Sequence, residues 1–419
     1  MENRSNTMRM INWTIILTAM LRTLSVQADY RTEELKIRAL AELTNAPVVR
    51  NEKEQIVSIG AGELKTIYFD ALMYAGKPTR VYAWIGIPEG ASSSHKVPGI
   101  VLIHGGGGTA FKEWVEKWNA HGYAAVSIAV EGQIDEREIG KPGDNRRNRW
   151  KKHPWSGPAR TGIYGDSDKP IEEQWMYHAV ADAILANSLL RSLPQVDSTK
   201  VGLMGISWGG IIASTVIGID DRFAFAIPTY GCGNLSQAAN HYGRALGNND
   251  LYKQVWDPVL RLKKVKTPTL WLSWPGDQHF PLDKQASCYR TVSGPYMVCL
   301  IPGMRHGHQA GWKPPDSYAF ADSVVKEGKP WAKQISSRTK GRQFTVIFES
   351  SRPLDEALLI STADTGITGK RKWIESPAKL ERMAEQWVVT ATQPEGTTAC
   401  FMNVKSGDLT LTSDYTEIE

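Results

Sequence analysis

Apolar residues in the middle of the chain fall into short blocks, separated by turns and by stretches of helical spacing. The blocks at Gly99–Ile103, Tyr123–Val130, Lys200–Met204, Phe223–Thr229, Pro268–Ser273 and Tyr296–Ile301 predict strands. Between them, Phe111–Ala120, Ile171–Ser192, Trp208–Gly218 and Pro281–Thr291 predict helices. Such alternation predicts an α/β fold, a mostly parallel sheet with helices on both faces and its site in the loops at the carboxyl ends of the strands. Ahead of it, Thr32–Leu43 has helical spacing. Thr66–Tyr74 and Thr79–Ile87, split by Ala75-Gly76-Lys77-Pro78, predict an opening hairpin. Past Gly328-Lys329-Pro330 the helical spacing stops. Segments at Gln343–Glu349, Ala357–Thr362, Arg371–Ile374, Glu385–Thr392, Thr397–Val404 and Leu409–Ser413 predict a small antiparallel β-sandwich over residues 330–419.

Composition supports two units: 419 residues, 42% of them hydrophobic and 15 of them Trp, suffice for a large core and a smaller one. The net charge of +5 is small for this length and gives no case for nucleic-acid binding. At the N-terminus, Arg4 and Arg9 precede an apolar run from Ile11 to Leu21, and Val26-Gln27-Ala28 offers a small-residue cleavage site. Residues 1–28 therefore read as an export signal, which places residues 29–329 as the α/β unit of a secreted or periplasmic protein. The run is shorter than the roughly 20 residues that span a bilayer, so no stable membrane span is expected after cleavage. In an oxidising compartment Cys232, Cys288, Cys299 and Cys400 can pair, Cys288 and Cys299 being closest in sequence. No Cys/His spacing suggests a metal site.

The chemistry centres on Gly205-Ile206-Ser207-Trp208-Gly209, a G-x-S-x-G turn between a predicted strand and a predicted helix. Glycines at both ends let the backbone reverse sharply and expose the serine hydroxyl, as in a nucleophile elbow. A serine needs a base to take its proton and a carboxylate to orient that base, in the order serine, acid, histidine. Asp277 follows the strand that ends at Ser273 and is the acid candidate. Asp283 and Asp257 are weaker rivals, placed to begin helices. His306 follows the next strand and is the base candidate, with His308 the alternative. The loop His104-Gly105-Gly106-Gly107-Gly108 follows an early strand, and backbone N–H groups of Gly106 or Gly107, with that of Trp208, are the candidate oxyanion donors. No G-K-[ST] follows that loop, which argues against a phosphate cradle.

With these residues in place, Val97 to Lys329 resembles the α/β-hydrolase superfamily, in the branch of dienelactone-hydrolase-like proteins, acetyl xylan esterases and prolyl-oligopeptidase-type catalytic domains. The segments that carry the likeness are Ile103 to Phe111, Trp175 to Ala183, Gly205 to Gly210 and Met304 to His308. They are similar to exported bacterial proteins labelled acetyl xylan esterase-like, which carry a small C-terminal β domain. The resemblance implies nucleophile, acid and base roles for Ser207, Asp277 and His306, with no cofactor. Trp208 stands where oligomeric acetyl xylan esterases carry glutamine. Nor does the chain leave room for the N-terminal propeller of prolyl-oligopeptidase-type enzymes, which disfavours peptidase activity.

Between Val130 and Ile171 a long insertion holds Arg146, Arg147, Arg149, Trp150, Lys151, Lys152, Trp155 and Arg160. Aromatic faces stack on sugars and arginines bind carboxylates or sulfates in a bidentate way, so Arg146, Arg147, Arg149, Trp150 and Trp155 are candidate contacts for an acidic glycan. A basic loop packed onto the body is the competing reading. The sequence thus points to an exported serine carboxylesterase acting on acetyl or methyl esters of plant or algal polysaccharides or oligosaccharides. The alternatives are a serine peptidase, a lactone hydrolase, or a non-catalytic glycan-binding protein on a hydrolase scaffold.

Overall fold

The computed structural model describes residues 30–140 and 149–418, so the export signal expected over residues 1–28 lies outside the described residues. After a two-residue edge strand β1 (Val49–Arg50), the hairpin strands β2 (Leu64–Asp70) and β3 (Arg80–Gly86) pair antiparallel, Leu64 opposite Gly86 and Asp70 opposite Arg80. β4 (Val97–Ile103) and β5 (Ala124–Ile128) follow. β6 (Gln133–Arg137) and β7 (Trp150–Lys152) leave the sheet as a separate ribbon. The sheet continues with β8 (Val196–Ile206), β9 (Phe225–Thr229), β10 (Thr269–Ser273) and β11 (Tyr296–Leu300).

The strand order β1-β2-β3-β5-β4-β8-β9-β10-β11 is parallel from β5 through β11. Its central strands are nearly continuous runs of buried residues, as expected for strands covered on both faces. The helices that cover them include α1 (Lys112–Ala120), α2 (Trp175–Ser192) and α3 (Trp208–Val216). α2 packs against β4, β5, β8 and α3 and is buried almost all round, so little of its surface meets water. No helix among the described residues is long and apolar enough to cross a membrane.

Beyond residue 330, β12 (Ala332–Lys340), β13 (Gln343–Ser350), β16 (Lys379–Met383) and β17 (Gln386–Thr392) form a separate antiparallel sheet in the order β12-β13-β17-β16. β14 (Glu356–Thr362), β15 (Ile374–Pro377), β18 (Ala399–Ser406) and β19 (Leu409–Thr412) form the second antiparallel layer. Phe344, Val346, Phe348 and Val389 from one layer and Leu359 and Phe401 from the other are buried in a common core. This second layer is continuous with the mostly parallel sheet, because Val298 of β11 pairs antiparallel with Thr412 of β19. The hydroxyl of Thr412 accepts the Leu300 N–H at 2.9 Å, and Asn403 donates to the Leu300 carbonyl at 2.9 Å. One sheet therefore runs across the sequence boundary at residue 330.

Candidate active site

The G-x-S-x-G turn is dictated by backbone contact. A Cβ on Gly205 would lie 2.0 Å from the Gly209 carbonyl oxygen, and one on Gly209 would lie 2.1 Å from the Ile103 carbonyl oxygen. Only glycine lets β8, α3 and the end of β4 approach so closely. Between them Ser207 takes φ 59° and ψ −114°, a strained conformation for a side-chain-bearing residue, which lifts its hydroxyl off the end of the sheet.

His306, beyond β11, places Nε2 3.0 Å from Ser207 Oγ and Nδ1 2.8 Å from Asp277 Oδ2. Asp277, beyond β10, is buried. Its other oxygen accepts the His279 and Phe280 backbone N–H groups at 2.8 and 2.9 Å. The His306 ring lies between Tyr230 (centroids 4.4 Å apart) and Phe280 (5.9 Å), and Tyr230 donates its hydroxyl to the Arg305 carbonyl at 2.6 Å, holding the histidine turn. The structure thus brings Ser207, His306 and Asp277 into one hydrogen-bonded chain. The rivals are occupied elsewhere. Asp257 accepts the N–H groups of Asn234 and Val259, and Asp283 sits in the first turn of the helix Leu282–Tyr289 and pairs with Lys284. His308 Nε2 accepts the Gly105 N–H at 3.0 Å, and burial pushes its pKa down to about 4, so it remains a neutral acceptor.

The glycine loop is held from three sides. His104 Nε2 accepts the Val130 N–H at 3.1 Å, which leaves Nδ1 to donate to the Gly105 carbonyl at 2.7 Å. Gln133 donates to the Gly108 carbonyl at 3.0 Å, and His308 holds Gly105. Gly105 lies against the serine, with its Cβ position 2.9 Å from Ser207 Cβ. Gly106 lies against Trp208, with its Cβ position 3.1 Å from the indole Cδ1, and its N–H has no intramolecular partner among the described residues. Trp208 is the first residue of α3, so its own N–H lacks an intrahelical acceptor. Tyr164, Trp175 and Tyr242 surround the Trp208 ring at 5.6, 5.6 and 5.8 Å between centroids, which fixes that end of the helix. Gly107 faces open space at φ 74°, and its carbonyl accepts the Trp150 indole N–H at 2.9 Å.

The insertion divides. Arg146 and Arg147 lie outside the described residues. Arg149 is exposed, and Trp150 lies on the β6–β7 ribbon over the glycine loop, with the Arg137 guanidinium 3.4 Å from its ring centroid. Trp155 is half-buried and packs edge-on against Tyr68 (centroids 5.5 Å apart), with the Arg80 guanidinium 4.2 Å from its ring centroid. Arg160, read in the sequence only as part of the basic stretch, emerges at the site. Its Nη2 is 2.9 Å from the Gly106 Cβ position, its guanidinium lies 4.8 Å from the Trp208 ring centroid, and Glu131 pairs with Nε at 3.2 Å. A cation therefore lies beside the free N–H groups. The four cysteines, allowed above to pair, are free buried thiols.

A cavity of about 380 Å³ opens beside His306, lined by Asn240, His241, Arg244, Trp274 and His279 and, from beyond residue 330, by Ile367 and Lys370. No group of three or more His, Cys, Asp or Glu side chains among the described residues is arranged to hold a metal ion.

The acetyl xylan esterase (AXE1) family matches residues 37–240, which include Ser207, and the prolyl oligopeptidase family matches residues 164–319, which include Ser207, Asp277 and His306. The acetyl xylan esterase from Paenibacillus sp. R4 superposes with a TM-score of 0.50 at 19% identity, over 67% of this chain and 90% of its own. Acetyl xylan esterase 1 from Thermoanaerobacterium sp. JW/SL YS485 gives the same TM-score and coverage at 17% identity. Among curated proteins, probable dipeptidyl-peptidase 5 of Aspergillus terreus is 23% identical over 258 residues, 57% of this chain and 31% of that protein. The chain thus spans about a third or less of the length of the curated relatives it matches. In strand order, elbow and family matches alike, the chain is a member of the α/β-hydrolase superfamily.

Proposed function

We propose that the protein is a serine carboxylesterase, exported from the cell, that removes acetyl or methyl ester groups from plant or algal polysaccharides or oligosaccharides. The observation that carries this reading is the hydrogen-bonded chain from Ser207 through His306 to Asp277. In this mechanism His306 Nε2 takes the serine proton as Oγ attacks the ester carbonyl. Asp277 holds the Nδ1–H tautomer and stabilises the imidazolium that forms. The oxyanion of the tetrahedral intermediate lies toward the Gly106 and Trp208 N–H groups, with Gly107 next in the loop; one such donor is worth about 3–4 kcal/mol in the transition state. His306 then returns the proton to the leaving alcohol and activates the water that releases the acid. The free Gly106 N–H and the Arg160 charge beside it support an oxyanion at this place.

The test is turnover of p-nitrophenyl acetate by the purified protein and its loss in Ser207→Ala, followed by a panel of acetylated and methyl-esterified polysaccharides with acetate and methanol measured separately. Wild-type turnover that survives in Ser207→Ala refutes the mechanism. The prolyl oligopeptidase match favours a second reading, a peptidase. Cleavage of peptide amides without cleavage of any short acyl ester would establish it instead. Absence of all turnover, with retained glycan binding, would leave a binding protein on a hydrolase scaffold.

A further inference from the structure

The 3-10 turn Thr368–Lys370 belongs by sequence to the C-terminal strands, yet it is built onto the acid loop of the active site. A Cβ on Gly369 would lie 2.1 Å from the Asp277 carbonyl oxygen, and the Thr368 hydroxyl accepts the Leu282 N–H at 2.8 Å. The Trp373 indole ties the turn down through the Thr368 carbonyl at 3.1 Å. Withdrawal of the turn would leave the Leu282 N–H, which is buried, without its acceptor, so the turn is a fixed wall. That wall brings Lys370 into the cavity beside His306, where Arg244, in the helix His241–Leu246, is the second cation. Both side chains are exposed, and among the described residues neither forms an ion pair and none of those lining the cavity is acidic.

We propose that Lys370 and Arg244 together bind an anionic substituent of the substrate, the carboxylate of a uronic acid or a sulfate group, on a sugar ring adjoining the scissile ester. The C-terminal strands then complete the substrate site instead of forming a detached binding module. This proposal rests on the esterase reading for its kinetic consequences but not for binding. Two unpaired cations facing a cavity with no carboxylate give a field that favours an anion, and a fixed wall lowers the ordering cost of binding it.

Four compounds test it: an acetylated uronate-containing oligosaccharide and the same compound with its carboxyl reduced to the alcohol, and a sulfated acetylated oligosaccharide and its desulfated counterpart. The wild type is expected to prefer at least one anionic compound over its neutral partner in kcat/KM. Lys370→Met and Arg244→Met should each lower that ratio about fivefold, as expected for a partly exposed ion pair. Lys370→Arg should keep the ratio, and about 1 M salt should erase it. Calorimetric Kd values for the same compounds on Ser207→Ala read the anion site without turnover. Whichever pair discriminates identifies the anion. A wild-type ratio near one for both pairs, in kinetics and in binding, overturns the proposal, as does a preference that both Met variants retain. Loss of turnover on every ester with the binding preference intact would instead overturn the esterase reading.

Discussion

Replacing Asp277 by Asn removes a charge while keeping the shape of the acid, and the surrounding hydrogen bonds decide how the histidine responds. One carboxylate oxygen accepts two backbone N–H groups, from His279 and Phe280, and the other faces His306 Nδ1. An amide has one oxygen to share between these two sides. Turning it toward His306 strands both backbone donors, at about 1–3 kcal/mol each, so the amide oxygen stays on the backbone and the NH2 faces the histidine. Nδ1 must then accept, and the ring proton moves to Nε2, the atom 3.0 Å from Ser207 Oγ. A protonated Nε2 cannot take the serine proton. The expected loss in kcat is about 10⁴-fold, on the order of 5 kcal/mol in the barrier, with KM nearly unchanged because the cavity keeps its lining. Kinetics on p-nitrophenyl acetate, with thermal melting to establish that the variant is folded, make the measurement. A folded Asp277→Asn enzyme that keeps kcat within tenfold of wild type would show that this tautomer argument is wrong.

Gly209→Ala places a methyl group 2.1 Å from the Ile103 carbonyl oxygen, a backbone atom that cannot swing aside, so a loss of about 3 kcal/mol in stability is expected along with most activity. A melting temperature within about 2 °C of wild type would contradict it. Stability is also expected to depend on pH. Burial pushes His104, His153 and His308 each down to about 4 from an ordinary 6.5. Above about pH 6.5 none of them binds a proton in either state, and stability is unaffected by them. Between about 6.5 and 4 the unfolded chain takes up protons that the native state refuses, so stability falls with falling pH by about 1.4 kcal/mol per unit for each histidine. Urea midpoints at about pH 7.5, 5.5 and 4.5 should track this slope, and a midpoint constant down to about 4.5 would refute it.

The hydrolase sheet was legible because its strands are buried on both faces, so apolar runs such as Phe225–Thr229 and Thr269–Ser273 announce themselves. β12 and β16 escaped the reading for the opposite reason. Apart from Ala332 at its start and the exposed Ile335, β12 is polar and largely exposed, and β16 is exposed along nearly all its length, so both are held as edge strands by main-chain pairing that leaves no pattern in side-chain type. At the site, residues tied to strand ends were readable, since the elbow and the two turns after β10 and β11 follow from topology. Arg160 was not, because its place beside Gly106 depends on the path of a long insertion. Lys370 was still further from reach: no local signal ties residues after 330 to the carboxyl end of β10. Nor could the sequence show that Trp155 packs beside Arg80, since an indole facing a guanidinium and one facing solvent leave the same trace in it.

The bonding of Leu300 by Thr412 and Asn403 has a consequence for how this enzyme behaves in concentrated solution. A parallel run that stopped at β11 would offer its outer row of peptide groups to any passing chain, as exposed sheet margins do in aggregation and strand exchange. Here the polypeptide guards that margin with its own tail. A version shortened before β12 would gain a sticky flank as well as lose a substrate wall, and a graft of the tail onto another hydrolase would need a matching threonine and asparagine to seal the seam.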